Sequence, residues 1–491
     1  MRSRTFVIIK QRLLVGVTWM FAGNWSEQII NFLVFILLAR ILGAEAFGLA
    51  TMAMVFVVFS EFLVRQTLTE TIVQQKNLEG GHLDAIFYLL ALLSVVLVAL
   101  LILLADQIAQ IYSEPRVADY LTWASPTVLF IGLSGVPVAL LKRKLEFRVL
   151  AVRATVGIVT GGIVGVILAF MDYGVWCFIV QHVVKVFVNN ALVWTANPWT
   201  PKWRAKKKHF HDVLSFSGQI VGLRITELIS INTPMVVIGA YLGPGMLGQF
   251  TIAWRIVEVL SFLLITPIQY VAQPAFAHLD RASEAAGDLL AKITKISALV
   301  SFPSFLGMVV VSAPLVELLF GDEWVGAITA HKILCFVGIY LSIERIQQAY
   351  CLALGKVSAL FYLSFAEALL GILLIITFVD YGIMGVAIAF AARYYIMWPF
   401  RFIIVSNYAD RSLLQYLKVL VLPLINAIIM TFITVAWQQL MGANFSTFTL
   451  LASSVLVGLS TYCIVLWATM RTEVRELFKS LILLREKSNS F

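Results

Sequence analysis

This 491-residue chain has little charge: Asp, Glu, Lys and Arg make up 13% of it, whereas 60% of its residues are hydrophobic. A soluble globule of this length would need far more charge to cover its surface, so a soluble fold is excluded. Apolar runs of about 20 residues, the length that crosses a ~30 Å hydrocarbon core as a helix, recur along the chain. The sequence therefore predicts an all-α polytopic membrane protein.

Cysteine and histidine are scarce as well. The four cysteines fall inside apolar runs without paired spacing, and two of the six histidines, His209 and His211, follow a run of lysines in a basic loop. Neither a disulfide framework nor a metal site is indicated by such spacing. A Gly-rich phosphate loop and paired loop carboxylates are also missing from the sequence. We therefore expect no catalytic residues, no metal and no cofactor.

Hydropathy predicts about fourteen transmembrane helices. They cover approximately residues 13–38, 46–73, 83–105, 118–141, 150–171, 173–195, 214–241, 246–276, 289–320, 328–354, 357–379, 381–405, 415–437 and 447–470. An even number of spans places both termini on one side. Lys and Arg collect in the loops around 142–148 and 202–208, on the side of the basic N-terminus, so the positive-inside rule predicts cytoplasmic termini. These basic cytoplasmic loops account for the net charge of +9, so no nucleic-acid partner is predicted.

The chain repeats itself. Leu42-Gly43 with Phe47-Gly48 returns 200 residues later as Leu242-Gly243 with Leu247-Gly248, and Asp172-Tyr173-Gly174 returns 208 residues later as Asp380-Tyr381-Gly382. These repeated motifs predict two pseudo-symmetric six-helix lobes plus two C-terminal helices. The lobes are predicted to be related by an axis along the membrane normal. The predicted parts are an N-terminal lobe (1–196), a basic cytoplasmic linker (197–213), a C-terminal lobe (214–406), helices 13 and 14 (407–470) and a cytoplasmic amphipathic tail (471–491).

Ionisable residues near the middle of a span are the candidate functional residues, because each costs about 3 kcal/mol to insert and is tolerated mainly beside a cavity or partner. The offsets of the two repeated motifs connect some of these residues. Glu27 maps onto Glu227 at the offset of 200, and Lys185 maps onto Arg393 at the offset of 208. Further candidates are spaced three residues apart on one helix face, where they can pair. These pairs are Arg224 with Glu227 and Arg255 with Glu258. Two interpretations stay open: a central hydrophilic cavity, or ion pairs that only make insertion tolerable.

Another charged pair, Glu344 and Arg345, lies nearer the predicted cytoplasmic end of span ten. It is interpreted either as an inner gate or as a cluster that snorkels to the interface.

The span count, the six-plus-six repeat with two added spans, and the segment Leu42-Gly43-Ala44-Glu45-Ala46-Phe47-Gly48 resemble bacterial polysaccharide exporters of the multidrug/oligosaccharidyl-lipid/polysaccharide superfamily. The resemblance is to flippases of the O-antigen and colanic-acid type. It implies an inner-membrane protein that moves undecaprenyl-pyrophosphate-linked oligosaccharides from the cytoplasmic to the periplasmic leaflet by alternating access. Membrane lipids and a polysaccharide polymerase are the candidate partners.

The same resemblance implies roles for the intramembrane charges. A pyrophosphate is an anion that arginine and lysine can hold. The implied substrate-binding residues are Lys185, Arg224, Arg255 and Arg393. The acids Glu27, Glu227 and Glu258 would bind a coupling proton or sodium ion, or pair with the arginines when the site is empty.

Two alternative functions stay open. A multidrug or cation antiporter of the same superfamily would use Glu27 and Glu227 for its cation, although such relatives usually have twelve spans. A polysaccharide polymerase or lipid-dependent glycosyltransferase belongs to a different class, and such enzymes usually carry catalytic residues on a sizeable extramembrane loop. The predicted external loops of this chain have about a dozen residues or fewer, so an enzyme is disfavoured.

Overall fold

The computed structural model describes residues 2–67, 72, 79–197, 199–277, 284–409, 412–442 and 445–471, with side chains described in this part except at 2–22, 66–67, 211–221, 223–224 and 284. Its helices are α1 (Arg2–Thr67), α2 (Gly80–Leu103), α3 (Ala105–Tyr112), α4 (Arg116–Ala124), α5 (Pro126–Arg143), α6 (Phe147–Phe170), α7 (Trp176–Ala196), α8 (Lys207–Ala277), α9 (Glu284–Phe320), α10 (Ala327–Ala353), α11 (Val357–Phe378), α12 (Gly382–Tyr408), α13 (Leu413–Met441) and α14 (Thr447–Thr469). The predicted tail after Arg471 lies outside the described residues.

Eleven helical stretches of the described chain are long and apolar enough to cross a membrane. Three of them, Gly23–Arg65, Ile225–Ala277 and Val357–Tyr408, have 43, 53 and 52 residues, more than twice the ~20 that one crossing requires. Each is interrupted, at Gly43, at Gly243 and at the 3₁₀ turn Val379–Tyr381. The all-α polytopic fold predicted from the sequence is confirmed, and the exact number of fourteen spans stays a prediction.

The two long helices α1 and α8 break in the same way at residues that the sequence repeat pairs. Gly43 has φ 75° and ψ 175°, and Gly243 has φ 83° and ψ 179°. Residues with a side chain rarely adopt these backbone angles, so glycine is the residue that permits the break. The repeated Asp-Tyr-Gly motif also has a similar backbone at both sites. Gly174, just before α7, has φ 55°, and Gly382, at the start of α12, has φ 71°. The sequence repeat is therefore also a repeat of backbone conformation.

The two broken segments also contact each other reciprocally. A Cβ atom on Gly48 would overlap the carbonyl of Pro244, and a Cβ atom on Gly248 would overlap the carbonyl of Ala44. Residues 44 and 48 correspond to 244 and 248 in the repeat. Position 48 of the first repeat therefore contacts position 244 of the second, and position 248 contacts position 44, as in an isologous contact. The backbones can approach this closely because glycine has no side chain.

Contacts divide the chain into two compact units, Met1–Ile252 with Val357–Phe390, and Ala253–Lys356 with Ala391–Phe491. In the first unit, α6 packs on α1 and α7, while α5 packs on α2 and α7. In the second, α9 packs on α10, α13 and α14. The six-helix lobes with boundaries at 196, 214 and 406 stay a prediction.

Candidate functional site

A buried acid–imidazole pair joins two helices of the first unit. The Oε1 atom of Glu61 on α1 lies 2.7 Å from the Nε2 atom of His182 on α7, and the two side chains are 7% and 11% exposed. Polar groups removed from water need such partners, because an unsatisfied buried group costs free energy. The bond therefore fixes the register of α1 against α7 inside the apolar part of the molecule.

Basic side chains interact electrostatically with this pair. Arg65 interacts electrostatically with both Glu61 and His182, and Lys185 interacts with His182. Arg153 on α6 interacts with Arg65 and with the carboxylate of Glu27. We call this set the N-terminal charge cluster, and it consists of Glu27, Glu61, Arg65, Arg153, His182 and Lys185. Among these six described residues, three carry a permanent positive charge and two carry a carboxylate.

Glycines on α6 bring the backbone of that helix against the part of α7 that carries the cluster. A Cβ atom on Gly161 would lie 2.6 Å from the carbonyl oxygen of Gln181 and 2.9 Å from Cβ of Lys185. One turn further along α6, a Cβ atom on Gly165 would lie 2.8 Å from Cβ of Gln181. This Gly-x-x-x-Gly motif thus permits a close helix contact, which places Lys185 and His182 beside α6.

Only part of this cluster was predicted from the sequence. Glu27 and Lys185 were candidates, whereas Glu61, Arg65, Arg153 and His182 were not. One available signal was the spacing of Glu61 and Arg65, four residues apart on one helix face. His182 gave no comparable signal, because its partner lies 121 residues away.

The predicted pairing of Arg255 with Glu258 is confirmed. The Nη1 atom of Arg255 donates to Oε2 of Glu258 over 2.6 Å, and the side chains are 23% and 46% exposed. The companion pair is not described, since the side chain of Arg224 lies outside the described part of the chain. The backbone places Glu227 on the same helix, and its pairing with Arg224 stays a prediction.

Arg393 is fully buried within the second unit. Its Nη2 atom donates to the hydroxyl of Tyr394 over 2.8 Å, and its guanidinium lies 4.4 Å from the centroid of the Tyr394 ring. The ring of Tyr340 packs against that of Tyr394 at 4.7 Å. A planar guanidinium over an aromatic face is stabilised electrostatically. The guanidinium of Arg393 therefore lies in an aromatic cluster, and its role in substrate binding stays a prediction.

Glu344 has a partner that was not predicted from the sequence. Its Oε1 atom accepts a hydrogen bond of 3.0 Å from Nη1 of Arg401, while Nε of Arg345 lies 3.6 Å from Oε2. Glu344 and Arg401 are 8% and 2% exposed. The contact ties α10 to α12 inside the second unit, and the predicted inner gate at Glu344 and Arg345 stays a prediction.

One group of described residues has the composition of a metal site. The ligand atoms of Glu79, His82 and His209 all lie within 4.8 Å of one another. However, Nδ1 of His82 accepts the backbone N–H of Glu79 over 3.3 Å, and Nδ1 of His209 accepts that of Lys206 over 3.1 Å. In a neutral ring the proton is then on Nε2, which leaves no free nitrogen lone pair for a metal. The group is arranged as a hydrogen-bonded clamp between the linker and α2.

Asp84 completes this clamp. Its fully buried carboxylate accepts the backbone N–H of Lys202 over 3.0 Å at Oδ1 and Nε of Arg204 over 3.2 Å at Oδ2. The basic linker is therefore fixed to the first turns of α2 by charge-assisted hydrogen bonds, which are stronger than neutral ones.

Solved structures share this fold. The lipid II flippase MurJ in an inward closed conformation matches with a TM-score of 0.76 at 17% sequence identity, over 93% of this chain and 99% of that one. An inward-facing multidrug resistance MATE family transporter of the MOP superfamily matches with a TM-score of 0.62 at 15% identity, over 78% and 96% of the chains. The chain thus has the fold of multi-pass membrane transporters of this superfamily.

The chain belongs to the polysaccharide biosynthesis protein family, whose model matches residues 37–329. It is 24% identical over 310 residues to the succinoglycan biosynthesis transport protein ExoT of Rhizobium meliloti, with 63% of each chain covered. It is 23% identical to the lipopolysaccharide biosynthesis protein WzxC of Escherichia coli, with 68% of each covered, and 24% identical to the teichuronic acid biosynthesis protein TuaB of Bacillus subtilis, with 72% and 74% covered. The match with ExoT spans less than two thirds of that relative. The family resemblance predicted from the sequence is confirmed.

Proposed function

We propose that this protein is a flippase that moves undecaprenyl-pyrophosphate-linked oligosaccharide units from the cytoplasmic to the periplasmic leaflet of the bacterial inner membrane by alternating access. The observation that carries the proposal is the N-terminal charge cluster, a set of acidic and basic side chains around the Glu61–His182 pair inside a transporter fold. Charges at such positions are tolerated mainly where a substrate or ion path needs them. The names of the relatives, which concern export or biosynthesis of surface polysaccharides, support the substrate class.

The lipid pyrophosphate is the part of the substrate that the cluster suits. Arg153 and Arg65 each offer a planar fork of N–H donors, and Lys185 offers an ammonium group, so together they match an anion with several phosphate oxygens. The sugar units would occupy a water-filled path through the protein, and the lipid tail would stay in the bilayer. Arg224, Arg255 and Arg393 are proposed to hold the pyrophosphate at later stages of the cycle.

Coupling and topology complete the proposal. Glu27, Glu227 and Glu258 would bind a proton or a sodium ion, or neutralise the arginines between substrates. Both termini lie in the cytoplasm, where the basic linker and the predicted tail would face anionic lipid headgroups. A polysaccharide polymerase would receive the translocated units.

A multidrug or cation antiporter is the second candidate, because MATE transporters share the fold. The excess of cations in the N-terminal charge cluster favours the anionic substrate, since cations at a site repel a cationic drug. The names of the relatives also support a transporter over a polymerase or glycosyltransferase, in agreement with the sequence-based expectation that the protein is not an enzyme.

The test is export of labelled undecaprenyl-linked oligosaccharide in cells depleted of this protein. Wild type should relieve accumulation in the cytoplasmic leaflet, whereas Arg153→Gln and Lys185→Gln should lower the export rate about tenfold or more, because each removes a cation worth ~1.5–3 kcal/mol to a phosphate. Lys292→Gln, at an exposed position of α9, is the matched control and should export normally. Normal export under depletion, with redundant flippases deleted, would contradict the proposal and favour the antiporter.

A further inference from the structure

The basic linker runs back along a candidate membrane span. The ring of Trp203 stacks on that of Tyr88 on α2, with the ring centroids 4.7 Å apart and the ring planes 20° apart. Further along the linker, Nε2 of His209 lies 3.4 Å from Oε2 of Glu79, the residue before α2 begins. The hydrogen bonds to Asp84, which lies between these two contacts on α2, hold the linker in place. The linker is therefore antiparallel to α2 and packed against it.

Tyr88 lies on an exposed apolar face of α2. Leu92, Val95 and Val96 follow it at helical spacing and are 62%, 53% and 45% exposed. Trp203 is 90% exposed beside the same face. In a candidate membrane span an exposed apolar face meets lipid, because lipid tails are its apolar surroundings. The linker thus presents the indole of Trp203 to the bilayer.

Trp203 and the lysines at 206–208 differ in depth. The candidate span begins at Gly80, so Tyr88 and the indole stacked on it lie about 12 Å inside the span, at a rise of ~1.5 Å per residue. The lysines directly precede His209, which contacts the residue before the span. The headgroup region on each side of a bilayer is ~5–8 Å thick. The indole therefore reaches the boundary with the hydrocarbon when the lysines lie among the headgroups, and tryptophan is enriched at that boundary.

The charge on this segment has one sign. Residues 199–210 include five basic residues and no Asp or Glu. All five basic side chains are exposed, namely Lys202, Arg204, Lys206, Lys207 and Lys208. Two acids at the beginning of α2 contact the segment, Asp84 at Arg204 and Glu79 at His209. Each Lys or Arg close to an anionic membrane surface strengthens binding about fivefold, so the segment suits negatively charged headgroups.

We propose that residues 199–210 form a docking surface for anionic phospholipids in the leaflet on that side of the membrane. The exposed cations bind the phosphate groups, and the indole of Trp203 lies against the first carbons of the acyl chains. The occupant is a bilayer phospholipid such as phosphatidylglycerol, because the segment lies beside a lipid-exposed face of α2. The inference goes beyond the proposed function and does not depend on it, since lipid docking requires no transport.

The experiment measures lipid binding by the full-length protein in detergent micelles. Phosphatidylglycerol with a fluorophore on one acyl chain is titrated and its anisotropy is followed, with phosphatidylcholine of the same chains as the neutral comparison. We expect wild type to prefer phosphatidylglycerol by about tenfold or more, as two cations near one headgroup would provide. NaCl at about 0.5 M should remove most of this preference, because the Debye length falls to about 4 Å.

Two variants separate the cations from the indole. The triple variant Lys206→Gln/Lys207→Gln/Lys208→Gln should lose most of the preference, because three of the five positive charges are removed. Trp203→Ser should weaken binding of both lipids several-fold and keep the preference, because the indole contacts acyl chains whatever the headgroup is. All of these positions are exposed, so both variants should fold as the wild type does.

A matched control removes equal charge from the other basic loop. In Lys142→Gln/Lys144→Gln/Arg148→Gln the three substituted side chains are exposed, and the positive-inside rule places their loop on the same side as the linker. That loop also carries Glu146, and it has no tryptophan between residues 142 and 148. The control should keep the preference of the wild type within about twofold.

Several outcomes would overturn the docking surface. A wild type without the preference, or with a preference that salt does not reduce, contradicts it even if a variant fails to fold. An equal loss in both triple variants would indicate general attraction to a basic protein. Displacement of the labelled lipid by farnesyl pyrophosphate, at about a tenth of the concentration that unlabelled phosphatidylglycerol requires, would overturn bilayer lipid as the occupant. The export assay is independent of these measurements, so the flippase proposal stands or falls separately.

Discussion

At the scale of single residues, the charged side chains on the helices of this protein differ in what they contact. Glu344 and Arg401 join two helices of one unit, so their partners are already in place. Arg393 is committed to an aromatic ring in the described conformation. The N-terminal charge cluster, in contrast, has more cations than acids, which suits a bound anion. Burial of a charge by itself therefore does not identify a substrate site, and the N-terminal charge cluster stays a proposal.

Removal of one partner from the Glu344–Arg401 pair should destabilise the protein. We expect Arg401→Ala to leave the buried carboxylate without its hydrogen bond and to cost about 3–5 kcal/mol, seen as a large fall in the unfolding temperature in detergent. The double variant Glu344→Leu/Arg401→Met should recover much of that loss, because no buried charge is left unpaired. A double variant as unstable as the single one would contradict this account.

At the scale of helices, the broken segments of α1 and α8 are the point where the two repeats meet. Gly43 and Gly243 permit the breaks, and Gly48 and Gly248 permit the approach of the two segments. The repeated i−4 hydrogen bonds of Thr51 to Phe47 and of Thr251 to Leu247, at 3.0 and 2.7 Å, continue the symmetry into the following turns.

A methyl group at either contact glycine should disturb this meeting point. Gly48→Ala and Gly248→Ala are each expected to lower the folded yield and the unfolding temperature, because the new Cβ atom would overlap backbone atoms that cannot rotate away. Gly245→Ala is the matched control, since a Cβ atom there meets open space. Equal effects of all three substitutions would show that the close approach is not what the glycines provide.

The linker clamp is a second feature at this scale. Asp84→Asn should weaken the hydrogen bonds to Lys202 and Arg204, because a neutral amide oxygen is a poorer acceptor than a carboxylate. We expect trypsin to cleave the linker several times faster in this variant, measured by limited proteolysis in nanodiscs. Asp106→Asn, at an exposed position of α3, should leave the cleavage rate unchanged.

At the scale of the whole molecule, the distribution of loop charge predicts the orientation in the membrane. Asp172 and Trp203 are both exposed, on loops that the positive-inside rule places on opposite sides. In cells carrying the Cys463→Ser protein, a membrane-impermeant maleimide should label Asp172→Cys from outside. It should label Trp203→Cys only after the membrane is opened. The reverse pattern would place both termini in the periplasm.

Much of this architecture followed from the sequence. Hydrophobic runs of helical length require membrane helices, because no other element except a closed barrel satisfies its backbone in lipid. The paired Leu-Gly motifs predicted the repeat, since a glycine with positive φ is required at equivalent positions of both halves. Arg255 and Glu258 were predictable as a pair because their spacing of three residues is local.

What only the tertiary structure decided was which distant residues meet. Glu61 and His182 lie 121 positions apart, and Glu344 and Arg401 lie 57 apart. Helical periodicity carries no information about such partners, because it is set within a few turns of one helix. The sequence by itself determined the membrane class, the repeat and the intramembrane charges at Glu27 and Lys185. Helix packing then determined that these two share a cluster with Arg65 and Arg153, whereas Arg393 stacks on a tyrosine.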